Sequence, residues 1–444
     1  MKLPDINNCS VAIIGLGYVG FPLAFELSKP HNKLNNIFIE RKVIGFDINE
    51  ERISELNKGL DSTNEIDLTK EDLPSLLELT SDEEKINHCD VFIVTVPTPI
   101  NENKKPDLGP LKNASKTIGR VFKRRKSSIN PIVIYESTVY PGATEEICIP
   151  IVEEISSMKL NIGFYCGYSP ERINPGDSTH KLRDIKKVIS GSNKECADWI
   201  FEFYKIIIDA GVFKAKSIKV AEAAKIIENT QRDLNIALMN ELAIIFDLLK
   251  IDNSDVLEAA STKWNFLNFR PGLVGGHCIG VDPYYLTYKS EEIGYYPQLV
   301  LAGRKINDNM PDWIVEKLIF NMTNKNIKIS ESEILILGIT FKENCPDLRN
   351  SLVIKLIKKL DKYNMNITIV DPLVDTKLAF HKHKLKILKD IPRDNKYDIL
   401  ITAVGHDSFK NVDSLTWSKL IKDNGFFLDL KGLIPRELEP IRIM

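Results

Sequence analysis

A short apolar strand, Val11-Ala-Ile-Ile14, runs straight into Gly15-Leu-Gly-Tyr-Val-Gly20, and a helical apolar pattern from Phe21 to Leu27 follows. Glycine at that density destabilises a helix or strand, so the stretch is a turn. A turn between a buried strand and a helix opens a parallel βαβ unit. The helix N-terminus then aims its unpaired N–H groups at whatever the glycines admit, and a pyrophosphate is the ligand that geometry favours. Gly15, Gly17 and Gly20, with Tyr18 and Val19 between them, are thereby assigned to a dinucleotide. The next strand, Val43-Ile-Gly-Phe-Asp47, ends in a carboxylate able to accept from the adenosine ribose. The stretch from Lys29 to Arg41 lengthens the interval and reads as a polar surface loop. Asp47 repels a 2′-phosphate, which favours NAD over NADP. Arg52 either reverses that preference or sits at the adenosine end or in solvent.

Further strands follow at the rhythm of an alternating α/β sheet: 90–97, ending in Pro97-Thr98-Pro99; 131–138, ending at Thr138; 164–171, ending at Glu171; and 187–191. Ligands bind beyond the carboxyl ends of such strands, so Pro97, Thr98, Thr138 and Glu171 become site candidates. A lone Glu after a strand is otherwise a solvated residue.

From Lys219 to Lys250 the period changes to helical, with no Gly or Pro, and one long helix is predicted. Lys225 and Asn229 share a face of it, and its long apolar face suits an interdomain spine or a dimer interface. Beyond it lies Arg270-Pro-Gly-Leu-Val-Gly-Gly-His-Cys-Ile-Gly-Val-Asp282, where four glycines surround His277 and Cys278. A thiolate there would be a competent nucleophile, and a buried structural cysteine is the competing reading. After Ile314 a second α/β pattern begins, with strands at 333–338, 366–371, 398–403 and 425–430 and a helix at 351–360. It lacks the triple glycine, and Lys342, Asp347 and Arg349 cluster after its first strand, where a nucleotide phosphate would lie.

At 444 residues the chain exceeds a single core, and two or three domains are expected. A net charge of −2 gives no global field for nucleic acid. Seven scattered cysteines without a Cys-x-x-Cys pair argue against a disulfide framework and against a metal site. Without a signal core or a membrane-spanning run, the chain reads as cytoplasmic, with no membrane partner.

Taken together, seven ordered motifs resemble the nucleotide-sugar 6-dehydrogenase family, the UDP-glucose and UDP-N-acetylhexosamine dehydrogenases. They are Gly15-x-Gly-x-x-Gly20, Val96-Pro-Thr-Pro99, Glu136-Ser-Thr-Val139, Ser169-Pro-Glu-Arg172, Lys225-x-x-x-Asn229, the Gly275 to Pro283 loop, and Thr340-Phe-Lys342 with Asp347 and Arg349. The resemblance implies an α/β fold of two Rossmann-like domains joined by a long central helix in a helical dimerisation domain. The expected division is 1–215 for NAD, 216–318 for the helical part with the cysteine loop, and 319–444 for the UDP-sugar. It further implies oxidation of a C6 alcohol to a carboxylate with two NAD and one water, through a thiohemiacetal and then a thioester on Cys278. Lys225 and Asn229 would steady the oxyanion, and Asp282, Glu171 and Thr138 would move protons, the choice of base remaining open. Arg349 would lie near the cofactor and Lys342 would hold the sugar nucleotide, with Arg172, Gly275 and His277 also on the substrate side. Arg270 is a candidate for an arginine that reaches a neighbouring subunit's substrate.

The stretches at 170–175 and 275–282 are similar to the 2-acetamido-sugar branch, which points to UDP-N-acetylglucosamine or its galacto epimer ahead of UDP-N-acetylmannosamine and UDP-glucose. That branch implies a role in bacterial surface polysaccharide synthesis. A one-step 3-hydroxyacid dehydrogenase and a non-catalytic NAD-binding regulator are the rivals; the cysteine loop and the second nucleotide-like domain argue against the former, the intact Lys225, Asn229 and Cys278 against the latter.

Overall fold

The computed structural model describes residues 2–33, 37–172 and 182–444. Its contacts divide the chain into two compact units, Met1–Glu228 with Tyr284–Ile293, and Asn229–Pro283 with Gly294–Met444. Most of the predicted strands are near-continuous apolar runs, as expected for strands covered on both faces.

The first unit carries β1 (Val11–Ile14), β2 (His31–Lys33), β3 (Ile37–Ile39), β4 (Val43–Phe46), β5 (Leu77–Thr80), β6 (Val91–Val94), β7 (Ile132–Tyr135), β8 (Tyr165–Tyr168), β9 (Lys187–Gly191) and β10 (Val212–Lys214). Its sheet has the order β10-β9-β8-β7-β6-β1-β4-β5, all neighbours parallel except β8 and β9. Helices α1 (Gly20–Leu27), α2 (Glu50–Asn57), α3 (Gly109–Arg124), α4 (Ile149–Ser156) and α5 (Lys194–Lys205) belong to this unit. Ile13, Ile93 and Ile134 pack in one core with Phe21 and Phe25 of α1 and Trp199 and Phe203 of α5. The Lys29–Arg41 insertion is not the plain loop expected: β2 and β3 pair as an antiparallel two-stranded sheet. Arg41, at its end, is buried and donates from Nη2 to the Ile6 carbonyl at 2.7 Å.

Helix α6 (Ile218–Leu249) is the single long helix expected. Its apolar side chains are not confined to the buried face. Val220, Ile227, Leu238, Ile245 and Leu249 are exposed, and at 3.6 residues per turn they fall within an arc of about 40°. Glu222, Lys225, Asn229, Asp233 and Asn240 are buried, on roughly the opposite side. After α6 come α7 (Asn253–Ser261), α8 (Asp282–Glu292) and α9 (Gln298–Asn324).

The second unit's sheet is built from β11 (Glu333–Leu337), β12 (Asn366–Val370), β13 (Ile387–Leu388), β14 (Tyr397–Thr402), β15 (Ile421–Asp429) and β16 (Ile441–Arg442), all parallel, in the order β13-β12-β11-β14-β15-β16. Counted from its own first strand, that order is the one β5-β4-β1-β6-β7-β8 follows in the first unit, and it is the dinucleotide-fold order. Each sheet therefore has its switch point beside its first strand. One face of the second sheet packs against Met310 and Ile314 of α9 and Leu356 of α10 (Leu352–Asp361); the other covers Phe409 and Trp417.

Candidate active site

At the first switch point the three glycines do three different things. Gly15 has φ +97°, which starts the turn, and Thr95 Oγ1 donates to its carbonyl at 2.7 Å. A Cβ on Gly20 would stand 1.9 Å from the Gly15 carbonyl oxygen, so this glycine lets α1 close on β1. A Cβ on Gly17 would meet nothing within 4 Å. The opening over the helix start is where a pyrophosphate would approach, and the residues present fit a dinucleotide. Tyr18 and Val19 are half-buried beside it, Pro97 is exposed and Thr98 partly so. Asp47 accepts from the Leu16 N–H at 2.7 Å and the Asn49 N–H at 2.9 Å. Four lone-pair sites on a carboxylate leave it able to accept from a ribose. Arg52 lies neither in solvent nor open to a 2′-phosphate. It is buried behind the turn, with Nε on the Leu16 carbonyl at 2.9 Å and its guanidinium paired with Asp61 at 2.7 Å and Glu55 at 3.1 Å.

Along the same sheet edge, Thr138 is half-buried, and Ser137 Oγ donates to the Val96 carbonyl at 2.7 Å. Glu171 and its neighbours form a buried charge cluster. Lys187 Nζ lies 2.7 Å from Glu171 and 3.2 Å from Glu136, and Tyr204 donates to the other oxygen of Glu136. Burial pushes Glu136 up to about 7, against the pull of Lys187 and with the push of Glu171. Burial also works to lower Lys187, but the two carboxylates hold it above the ordinary lysine value. Glu171 Oε1 accepts from the Arg172 N–H at 2.5 Å, and the Arg172 side chain donates to the Lys225 carbonyl at 3.4 Å and pairs with Glu228. Residues 173–175 of the expected specificity stretch lie outside the described residues. Glu222 accepts from the Gly142 and Thr144 N–H groups at 2.5 and 2.9 Å, which ties α6 to the loop after β7. Lys187, Tyr204 and Glu222 carried no sequence signal: a charge at a strand start or in a helix reads as solvated until its burial is known. Glu136 sat inside a quoted motif without a role.

In the second unit, Cys278 is partly exposed while the other six cysteines are buried. Burial pushes Cys89, Cys148 and Cys196 up to about 12 and Cys9 to about 11. Those thiols carry almost no thiolate at neutral pH. The Cys278 carbonyl accepts from the Val281 and Asp282 N–H groups at 3.0 and 2.8 Å, which winds the loop into α8. Asn229 Nδ2 donates to buried Asp282 at 2.5 Å. At the loop's other end, Asn240 of α6 both donates to and accepts from the Gly272 backbone, at 3.0 and 2.8 Å. Lys225, also buried, sits one helical turn before Asn229 on α6.

Gly275 and Gly276 are needed for a reason other than close approach by a ligand. Cβ atoms there would stand 2.8 Å from the Asn350 carbonyl and 2.8 Å from the Phe341 ring. His277 packs edge-on to the same ring at 6.1 Å. Gly275 and His277 thus seat the loop on its own unit. Arg270 is exposed.

At the second switch point a small cleft opens beyond β11 and β14, lined among others by Phe341, Lys342, Val404 and Lys431. Lys431 escaped the sequence reading. Arg349 pairs with Asp347 at 2.6 Å. Partial burial would raise Asp347, but the Arg349 hydrogen bonds and nearby His277 hold it below the ordinary carboxylate value. Asp371 ends the second strand here as Asp47 does in the first unit, and likewise accepts from the N–H after the first glycine, Ile339, at 2.8 Å. His406 lies across it at 3.1 Å and both are fully buried. The position that reads a ribose in a dinucleotide fold is filled by protein.

Comparison with known proteins accounts for nearly the whole chain. Residues 9–208, 219–309 and 335–436 match, in order, the NAD binding, central and UDP binding domains of the UDP-glucose/GDP-mannose dehydrogenase family. The UDP-N-acetyl-D-glucosamine 6-dehydrogenase of Salmonella typhi is 52% identical over 440 residues, 99% of each chain. Its Pseudomonas aeruginosa counterpart is 50% identical over 438 residues, covering 99% of this chain and 100% of the relative. The solved structure of a UDP-D-ManNAc dehydrogenase from Pyrococcus horikoshii superposes with a TM-score of 0.83 at 27% identity, covering 98% of each chain.

Proposed function

Because the chain belongs to the UDP-glucose/GDP-mannose dehydrogenase family, we propose that it oxidises the C6 alcohol of UDP-N-acetylglucosamine to the carboxylate. One observation carries the reaction class: among the described residues Cys278 is the sole partly exposed thiol, and it stands in a loop tied down through the Asn229–Asp282 pair. The sugar follows from two relatives at half identity over their full length. NAD, when bound over Gly17 and beside Asp47, supplies the hydride acceptor.

Cys278 adds to the C6 aldehyde, so the carbon stays on sulfur and is not released. At the next oxidation level the same carbon is a thioester, which water cleaves, regenerating the thiol. Lys225 and Asn229 donate to the oxygen that becomes negative, and the bond to Asp282 orients the Asn229 amide. Asp282 and Glu171 are the two candidate bases, with Thr138 in support. Lys342 and Lys431 hold the nucleotide phosphates at the second switch point.

The exposed apolar stripe of α6 supports a homodimer or a multiple of it, since a second copy would cover Val220, Ile227, Leu238, Ile245 and Leu249. Among the described residues no helix is long and apolar enough to cross a membrane, and seven cysteines outside any disulfide suit the cytoplasm.

The test is a panel of UDP-sugars with NAD. Two NADH per sugar and the highest kcat/KM on UDP-N-acetylglucosamine are expected. A yield of one NADH, or equal efficiency with UDP-glucose, refutes the reaction or the substrate respectively. A monomeric mass by light scattering at micromolar concentration refutes the dimer.

A further inference from the structure

Three strand ends converge on one buried cation. Glu136 follows β7, Glu171 lies three residues past β8, and Lys187 is the first residue of β9. The antiparallel register of β8 and β9 pairs Gly167 with Gly191 and Tyr168 with Ser190. Continued through the turn, that register sets Glu171 opposite Lys187, and Ser169 Oγ fastens the turn by donating to the Val188 carbonyl at 2.9 Å. The side chains of Glu136, Glu171 and Lys187 are 0, 6 and 2% exposed. A buried ion pair is weak evidence for stability, because desolvation cancels much of the attraction and an apolar replacement is often as stable.

We infer that Lys187 is a positioning residue for Glu171, fixing the direction of that carboxylate at the sheet's ligand-binding edge. This rests on the reading of Glu171 as a catalytic carboxylate. Each oxygen of Glu171 has its own anchor: Oε2 is held by Lys187, and Oε1 by the Arg172 N–H. Glu136 in turn keeps the lysine from swinging, with Tyr204 donating to its far oxygen and the Tyr204 ring 4.9 Å from the ammonium. Among the described residues, the titratable groups against Lys187 are Glu136 after β7, Glu171 from the turn after β8, and Tyr204 from α5. The chain continues from Arg172 to the Lys225 carbonyl on α6, so the same bracket reaches the helix that carries the proposed oxyanion donors.

The experiment compares Lys187→Met, Lys187→Arg, Glu171→Gln and the double variant Lys187→Met/Glu136→Gln, the last keeping the cluster's net charge without the lysine. Measured are kcat, KM for the UDP-sugar, the pH profile of kcat, and thermal stability. Lys187→Met is expected to lose roughly ten-fold or more in kcat with KM changed by less than about three-fold. Its acid limb should move to higher pH by about one unit, since the coupled carboxylate cluster loses the cation that favours its charged form. Lys187→Arg should return the limb to its original position. If Lys187→Met does not fold, the double variant carries the test: it should regain stability but neither the turnover nor the limb.

A variant lacking Lys187 that keeps wild-type kcat and pH profile, while Glu171→Gln is inactive, overturns the inference alone. Wild-type turnover by Glu171→Gln overturns the catalytic reading beneath it. Lowered stability with an unmoved pH limb reduces Lys187 to a structural residue and also refutes the proposal.

Discussion

Gly17 and Gly20 are three residues apart in one turn, yet adding a methyl group to each should fail in opposite ways. At Gly20 the new Cβ would lie 1.9 Å from the Gly15 carbonyl oxygen and 2.3 Å from Thr95 Oγ1, where an ordinary C···O contact is about 3.3 Å or more. Relief requires moving α1 off β1 by more than an ångström. Phe21 and Leu23, immediately after it, have no exposed surface. Overpacking of this kind costs about 1–3 kcal/mol or more, and for a unit of this size each kcal/mol lowers Tm by roughly 2–4 °C. Gly20→Ala should therefore melt several degrees low and lose NAD binding with the turn. At Gly17 the methyl enters open space on a backbone outside the left-handed region, so Tm should stay within a degree or two. Yet that space is the approach path of the pyrophosphate, and a KM for NAD raised about ten-fold, equivalent to roughly 1.4 kcal/mol, is expected. Scanning fluorimetry and calorimetric titration with NAD separate the two. If Gly17→Ala binds NAD as wild type does, the opening does not hold the cofactor. If Gly20→Ala keeps its Tm, the contact geometry at α1 has been misjudged.

Cys278→Ala should retain NAD and UDP-sugar binding while losing most net turnover, and release of two NADH per sugar at a near-normal rate would refute the thioester route. NADP should be the poorer cofactor, since Asp47 repels a 2′-phosphate and Arg52 is committed to Asp61 and Glu55; higher initial rates with NADP at matched subsaturating concentrations would contradict this. Glu222 is raised from the ordinary carboxylate value to about 7 by burial. The folded chain therefore holds this proton more tightly than the unfolded chain, and the stability it contributes is full below about pH 4.5 and lost as pH rises through about 7, up to roughly 3 kcal/mol. Glu222→Gln should flatten the fall of Tm between pH 5 and 8, and an unchanged slope would show that Glu222 does not titrate there.

Both sheets were legible because buried parallel strands announce themselves as unbroken apolar runs, and α6 because nothing in 32 residues interrupts its period. The cysteine loop was legible from its glycines, although two of them turn out to serve Phe341 and Asn350 and not a ligand. Burial of charge was not legible. Lys187 at the start of β9 and Glu222 on α6 look like surface residues in sequence, because the partners that neutralise or cap them come from strand ends far away in the chain. The exposed apolar stripe of α6 was hidden for a related cause: hydrophobic period marks two faces of a helix but not which one meets the protein. The β2–β3 pairing was missed because the polar residues around Ile37-Phe-Ile39 outweighed that short run.

Asn240 and Asn229 fasten Gly272 and Asp282, the two ends of the segment that contains Cys278. The anchors stand close to three full turns apart on α6, a rise of roughly 16 Å. Changes of chain length are then tolerated very unequally. An extra residue in the crown of the segment leaves both fastenings in place and merely adds slack. An extra residue between the two asparagines lengthens the helix by only about 1.5 Å but swings one anchor about 100° away from the other. Insertions and deletions should accumulate in places such as the β2–β3 region and be purged from the stretch between Asn229 and Asn240. The placement of the thiol is governed by the pitch of a helix to which Cys278 does not belong.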